Sequence, residues 1–113
     1  DPRWRVSSWG LGRMMTGGMR LKQLTDEERA ENGISSGMAL KATHVGKYGQ
    51  HATARRNGFR EGDIVVQYDG RSDLEREADL FAYANDNLRP GDRVQIRYLR
   101  EGRLRTATLP IQK

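Results

Sequence analysis

The chain contains no cysteine among its 113 residues. Disulfide bonds, thiolate metal ligands and cysteine nucleophiles are therefore excluded. Long hydrophobic runs are also absent, and no apolar stretch is long enough to cross a membrane, so no membrane insertion is expected. Apolar residues make up only 35% of the sequence. A chain of this length has room for one domain, whose core must be small and efficiently patterned.

Positive charge, in contrast, is in excess. The formal net charge is +5, which favours anionic partners such as a carboxylate, an acidic protein face, nucleic acid or an anionic membrane surface. The basic residues are scattered among acidic ones and form no long run. This pattern is typical of a solvated surface, so a dedicated polyanion site is disfavoured and nucleic acid is not the expected partner.

Catalytic and metal-binding patterns are weak. His44 and His51 are the only histidines, and two histidines without further clustered ligands do not indicate zinc. No G-x-S-x-G nucleophile motif occurs. We therefore expect no catalytic residue, no metal site and no cofactor.

Hydrophobic alternation and turn signals predict an α+β fold of five or six short antiparallel strands, with a helix on the open side of a barrel-like sheet. Thr25 and Glu28 have the spacing of a capping box and predict a short helix that ends at Asn32-Gly33. A second short helix is expected over 51–57 and one long helix over 72–87. The predicted strands cover 19–24, 38–45, 64–68, 93–99 and 104–109.

The most specific signal lies between Ala54 and Arg71. Gly58 can adopt the left-handed conformation that closes a helix, and Asp69-Gly70 supplies the positive φ angles of a turn after a strand. The run predicts, in order, a helix, its cap, an apolar anchor, a turn, a strand and a second turn. The residues that carry this pattern are Ala54, Gly58, Phe59, Gly62-Asp63, Ile64-Val65-Val66, Tyr68 and Asp69-Gly70.

This run resembles the A-x-x-x-G-hydrophobic-x-x-G-D segment of PDZ domains, with its following hydrophobic strand and (N/D)-G turn, particularly in bacterial HtrA-type proteases and other extracytoplasmic proteins. Residues 88–94 and 98–102 are similar to the family's L-x-P-G-D-x-V and V-L-R-x-G ending. The resemblance implies a PDZ-like small antiparallel β-barrel or sandwich of five to six strands, with one long and one or two short helices. It places the domain at 16–113, after an N-terminal extension or linker at 1–15, and favours a periplasmic or extracytoplasmic location.

The resemblance also implies the site. A C-terminal or extended peptide would add as a strand beside the long helix, and amides near Gly17, Gly18 and Met19 would hold the carboxylate of a C-terminus. Arg13 would attract the anionic terminus, and Met19, Leu21 and Phe81 would line a pocket for the last side chain. The implied peptide-binding residues are Arg13, Gly17, Gly18, Met19, Arg20, Leu21, Glu77, Phe81 and Ala84.

The residues leave three functions open. The first is a non-catalytic peptide-binding module that regulates or targets a fused or neighbouring catalytic domain. The second is a basic small-barrel domain that binds nucleic acid, and the third is an accessory domain of a larger protease or redox enzyme whose groove is closed, for example by residues 1–15. The abrupt start at Asp1-Pro2 suggests a piece of a larger protein.

Overall fold

The computed structural model describes residues 15–111, except for the side chains of Gln50 and His51. Five antiparallel strands form one open sheet in the order β1-β2-β3-β4-β5, so each strand pairs with its neighbours in sequence. This confirms the α+β fold with five strands. The strands are β1 Met19–Gln23, β2 Leu40–Val45, β3 Ile64–Tyr68, β4 Arg93–Arg100 and β5 Arg103–Pro110.

Three α-helices lie within the described residues. They are α1 Asp26–Glu31, α2 Thr53–Arg56, which directly follows a 3-10 turn at Gly49–Ala52, and α3 Glu77–Asn87. The capping box of α1 is present: the Thr25 hydroxyl accepts the Glu28 N–H at 3.1 Å, and the Glu28 carboxylate accepts the Thr25 N–H at 3.1 Å. This backbone hydrogen bond from Thr25 lowers the pKa of Glu28.

Helix α3 begins five residues later than the sequence pattern predicts. The preceding segment is irregular and is held away from the helix, because Arg71 exchanges backbone hydrogen bonds with Tyr68, and the Ser72 carbonyl accepts the Met38 N–H at 2.8 Å. Leu74 is buried within this irregular segment. The Asp79 carboxylate then accepts the Arg76 N–H at 3.0 Å, which satisfies an amide just before the first helical residue, Glu77. The predicted start at Ser72 is therefore wrong.

The turn before β3 is fixed by a buried ion pair. Asp63 is only 2% exposed, and its two carboxylate oxygens accept from Arg100 Nε at 2.8 Å and Nη2 at 2.7 Å. The same carboxylate accepts the Arg60 N–H at 2.8 Å, and Arg100 Nη2 also donates to the Gly58 carbonyl at 2.6 Å. These hydrogen bonds join the turn to strand β4.

The main core lies between one face of the sheet and helix α3. Phe59 is fully buried there and packs on the ring of Tyr98 with centroids 4.8 Å apart. A smaller apolar cluster of Leu24, Ala39 and Ile64 forms a second group of buried side chains. Among the described residues, no helix has the length and apolar character needed to cross a membrane.

Candidate functional site

Strand β1 is an edge of the sheet that the described residues form, so one side of its backbone has no strand partner within residues 15–111. On its paired side, Leu21 lies opposite Ala42 of β2. Ala42 directs both backbone groups away from β1, because its N–H donates to the Asp63 carbonyl at 2.8 Å and its carbonyl accepts the Gly62 N–H at 2.8 Å. In an antiparallel ladder, the N–H and carbonyl of Leu21 therefore point to the free side. Gln23, two residues further along β1, has the same orientation, whereas the N–H and carbonyl of Met19 are bonded to Thr16 in the preceding turn.

The turn that leads into β1 consists of Thr16, Gly17, Gly18 and Met19. Gly17 and Gly18 have φ angles of 62° and 90°, a conformation that glycine adopts at little cost. The Met19 N–H donates to the Thr16 carbonyl at 3.2 Å, and the Met19 carbonyl accepts from the Thr16 hydroxyl at 2.7 Å. The N–H groups of Gly17 and Gly18 have no acceptor among residues 15–111. Two successive amides of this kind are suited to an anion.

Glu77 closes the free edge at its centre. Glu77 is the first residue of α3, and its carboxylate reaches β1. There Oε2 accepts the Leu21 N–H at 2.6 Å. A charged acceptor makes this a stronger hydrogen bond than one between neutral groups. The edge amide that would pair with an added strand is thus satisfied by a side chain of the facing helix.

An open cavity of about 580 Å³ follows this edge. Its two sides differ in charge, since α3 contributes the acidic side chain of Glu77 while the charged side chains from the sheet, Arg20 and Lys22, are basic. The residues that line it are Gly18, Arg20, Leu21 and Lys22 at β1, Thr43 and His44 in β2, and Glu77.

Of the predicted site residues, Gly18, Arg20, Leu21 and Glu77 line this cavity. Met19, Leu21 and Ala84 are buried in the main core, and half-buried Phe81 packs against it. Gly17 and Gly18 are buried in the turn, Arg20 is exposed, and Glu77 is half-buried. Arg13 lies outside the described residues. Whether these residues bind a peptide stays a prediction.

Sequence reasoning missed three residues that line the cavity. Lys22 was identifiable, because the alternation of β1 places it on the same face as Arg20. Thr43 and His44 had no such signal, since their position beside β1 depends on an irregularity in strand pairing between Arg20 and Leu21. Among the described residues, no group of three or more histidine, aspartate or glutamate side chains has an arrangement that could hold a metal ion.

Comparisons with known proteins agree with this architecture. The PDZ domain family model matches residues 20–111. No curated protein matches. Among solved structures, the HtrA-type protease AlgW with a tripeptide is 25% identical with a TM-score of 0.64, over 84% of this chain and 30% of that chain. An AlgW variant with a decapeptide is 23% identical with a TM-score of 0.70, over 85% of this chain and 28% of that one.

A third similar structure is the PDZ domain of EpsC from Vibrio cholerae, at 17% identity and a TM-score of 0.51, over 85% of this chain and 97% of that one. The chain thus corresponds to less than a third of AlgW but to nearly the whole EpsC domain. Since the family model spans well over half of the sequence, this chain belongs to the PDZ domain family of protein-interaction modules.

Proposed function

We propose that this domain is a non-catalytic module that binds the C-terminus of a peptide as an additional antiparallel strand along β1, in the groove beside α3. The observation that carries the proposal is the outward Leu21 N–H, which bonds to a side chain rather than to a strand. An exposed strand edge of this kind is a template for β-strand addition.

The direction of the peptide follows from the turn before β1. A strand antiparallel to β1 ends beside Gly17 and Gly18, whose two N–H groups have no acceptor within the described residues. The peptide's carboxylate would accept hydrogen bonds from these amides. Its last side chain would then face the apolar surface formed by Met19, Leu21 and Phe81, which belong to one packed cluster.

Glu77 gives the proposed groove a preference among peptide side chains. An incoming peptide carbonyl replaces the Glu77 carboxylate on the Leu21 N–H, so one hydrogen bond is exchanged for another. The released carboxylate then needs a new partner, because leaving a partly buried charge unpaired costs free energy. The peptide residue opposite Leu21 directs its side chain toward α3, and a basic or hydroxyl side chain there would satisfy Glu77.

The relatives support a peptide partner at the level of the family, since AlgW was solved with a tripeptide and with a decapeptide. AlgW is a protease, and this chain corresponds to 28–30% of it. We therefore propose in addition that this module regulates or targets a neighbouring catalytic domain.

The test is an NMR titration of the ¹⁵N-labelled chain with peptides that end in an apolar residue, each prepared as the free acid and as the amide. The free acids should shift the amides of Gly17, Gly18 and Leu21, and the amidated peptides should shift them much less. Equal shifts by both forms would rule out carboxylate capture. No shift with either form would favour a closed groove and a structural role.

Glu77→Gln tests this preference within the same titration. Glutamine can still accept a hydrogen bond but carries no charge, so the preference for lysine over leucine opposite Leu21 should disappear. Glu75→Gln is the matched control, because Glu75 is exposed and lies outside the cavity lining. If both variants keep the preference for lysine, Glu77 does not select the ligand.

A further inference from the structure

The outer face of the free edge carries a group of basic side chains on the side opposite to the core. Arg20 and Lys22 of β1 and His44 of β2 are all exposed, and all three line the cavity along the edge. Arg20 lies directly opposite His44 in the strand pairing. We refer to Arg20, Lys22 and His44 as the outer strip.

The two permanent charges of this strip are not neutralised by any side chain that the structure describes. Lys41, opposite Lys22 in the pairing, forms an ion pair with Glu28 at 3.5 Å. Arg20 and Lys22 have neither an ion pair nor a side-chain hydrogen bond within residues 15–111. An anionic side chain beside Arg20 or Lys22 would therefore meet a positive charge that no carboxylate within residues 15–111 already pairs with.

The position of that neighbour is set by the geometry of β1. An added strand places one residue opposite Leu21, with its side chain toward the core and α3. Side chains alternate between the two faces of a strand, so the residues before and after that one face outward. The residue toward the C-terminus lies beside Arg20, and the residue toward the N-terminus lies beside Lys22.

We infer that the domain selects peptides with acidic side chains at the second-last and fourth-last positions, where they pair with Arg20 and Lys22. The inference rests on the proposed function, which places the peptide's carboxylate at the Gly17 and Gly18 amides, so that the last residue lies opposite Met19. The full pattern is then acidic, basic or hydroxyl, acidic, and a terminal apolar residue. Alternating charge distinguishes this ligand from a nucleic acid, whose uniformly negative backbone would meet the Glu77 carboxylate in the same cavity.

The expected preference is moderate. Opposite-charge cross-strand pairs of this exposed kind correspond to about a 1.4- to 5-fold gain in affinity each. Two pairs together should therefore give about a 2- to 30-fold preference for acidic over neutral residues at the two positions. Added salt should reduce this preference, because exposed charges are screened.

The test uses three fluorescent peptides with a free C-terminal carboxylate, identical except that the second-last and fourth-last residues are both glutamate, both glutamine or both lysine. Affinity, measured by fluorescence anisotropy, should fall in that order. In the double variant Arg20→Glu with Lys22→Glu the order should reverse. Both residues are exposed, and an unchanged amide spectrum away from β1 would show that the fold is retained.

The matched control is Arg103→Glu with Arg105→Glu on β5, which changes the net charge equally at the opposite edge of the sheet. It should preserve the original order of affinities. Equal affinity of the three free acids, with binding still lost on amidation, would overturn the inference and leave the proposed function standing. Absence of binding, or equal binding of free acids and amides, would overturn both. The inference would also be overturned if the chain bound a single-stranded oligonucleotide, lost that binding in the Arg20/Lys22 double variant, and did not discriminate among the peptides. That result would indicate a nucleic-acid surface.

Discussion

Gly17 determines how the chain enters β1, because its conformation and its surroundings both exclude a side chain. Its φ angle is 62°, in the left-handed region that disfavours residues with a Cβ atom. A Cβ at this position would lie 2.8 Å from the Ala54 nitrogen and 2.8 Å from Leu109 Cδ1. The close approach is needed because the Ala54 N–H donates to the Gly17 carbonyl at 3.0 Å, which joins the turn to α2.

Gly17→Ala should lower the free energy of unfolding by more than Gly33→Ala. The backbone conformation alone costs about 1–3 kcal/mol at either position, since Gly33 has a φ angle of 71°. Only Gly17 adds a steric conflict, because nothing lies within 4 Å of a Cβ built on Gly33. Urea unfolding of both variants measures the difference. Equal losses would show that the contact with Ala54 is not tightly packed.

At the scale of elements, the two edges of the sheet are protected differently. Strand β5 is exposed along most of its length and carries Arg103 and Arg105, and charged residues on an edge discourage pairing with another chain. At β1 a hydrogen bond from the edge to Glu77 of α3 serves this purpose. A side-chain acceptor can be displaced by a peptide carbonyl, whereas the charges of β5 stay in place. This difference is why we place ligand binding at β1.

A second contact between elements is the ion pair that joins the turn before β3 to β4. Asp63→Asn should lower the free energy of unfolding by about 3 kcal/mol, near the lower end of the range for removing one partner of a buried pair, since the Arg100 side chain is 17% exposed. Asp73→Asn makes the same chemical change in the Arg71–Asp73 pair, whose side chains are 46% and 63% exposed. That variant should differ little from the parent. Chemical denaturation measures both variants. Similar losses of unfolding free energy would contradict the claim that burial makes the Asp63–Arg100 pair the more stabilising one.

For the whole molecule, burial of Tyr68 makes the free energy of unfolding depend on pH in the alkaline range. Its side chain is 1% exposed, and its hydroxyl donates to the Met15 carbonyl at 2.7 Å. Burial, followed by the neighbouring charge of Asp69, raises the pKa of Tyr68 well above the ordinary value of 10.0. The folded domain therefore keeps the proton that the unfolded chain loses.

Stability from this group is fully present below about pH 10 and should fall as pH rises from there toward the folded pKa, with a slope of up to about 1.4 kcal/mol per pH unit. Urea unfolding between pH 8 and 11.5 measures this slope. Tyr68→Phe should be less stable at neutral pH, because the Met15 carbonyl loses its donor, but its stability should depend less on pH above 10. An unchanged slope in that variant would assign the alkaline loss to other groups.

The sequence by itself determined the elements whose signals are local. Gly58, Asp69 and Gly70 have the predicted positive φ angles, at 98°, 53° and 80°, and Thr25 and Glu28 form the predicted capping box. Such features depend on a few adjacent residues, so their chemistry can be read along the chain. The strand count and the PDZ family followed from the same local patterns.

Only the tertiary structure decided the start of α3 and the state of the groove. The helix begins at Glu77 because residues far away in sequence, such as Met38, hold the preceding segment in a non-helical conformation. The same start brings the Glu77 carboxylate to the Leu21 N–H across 56 residues of sequence. The pairing of β1 with β2 likewise brings His44 beside Arg20. Contacts of this kind leave no periodic trace in either segment, because each depends on how two distant parts of the chain pack together.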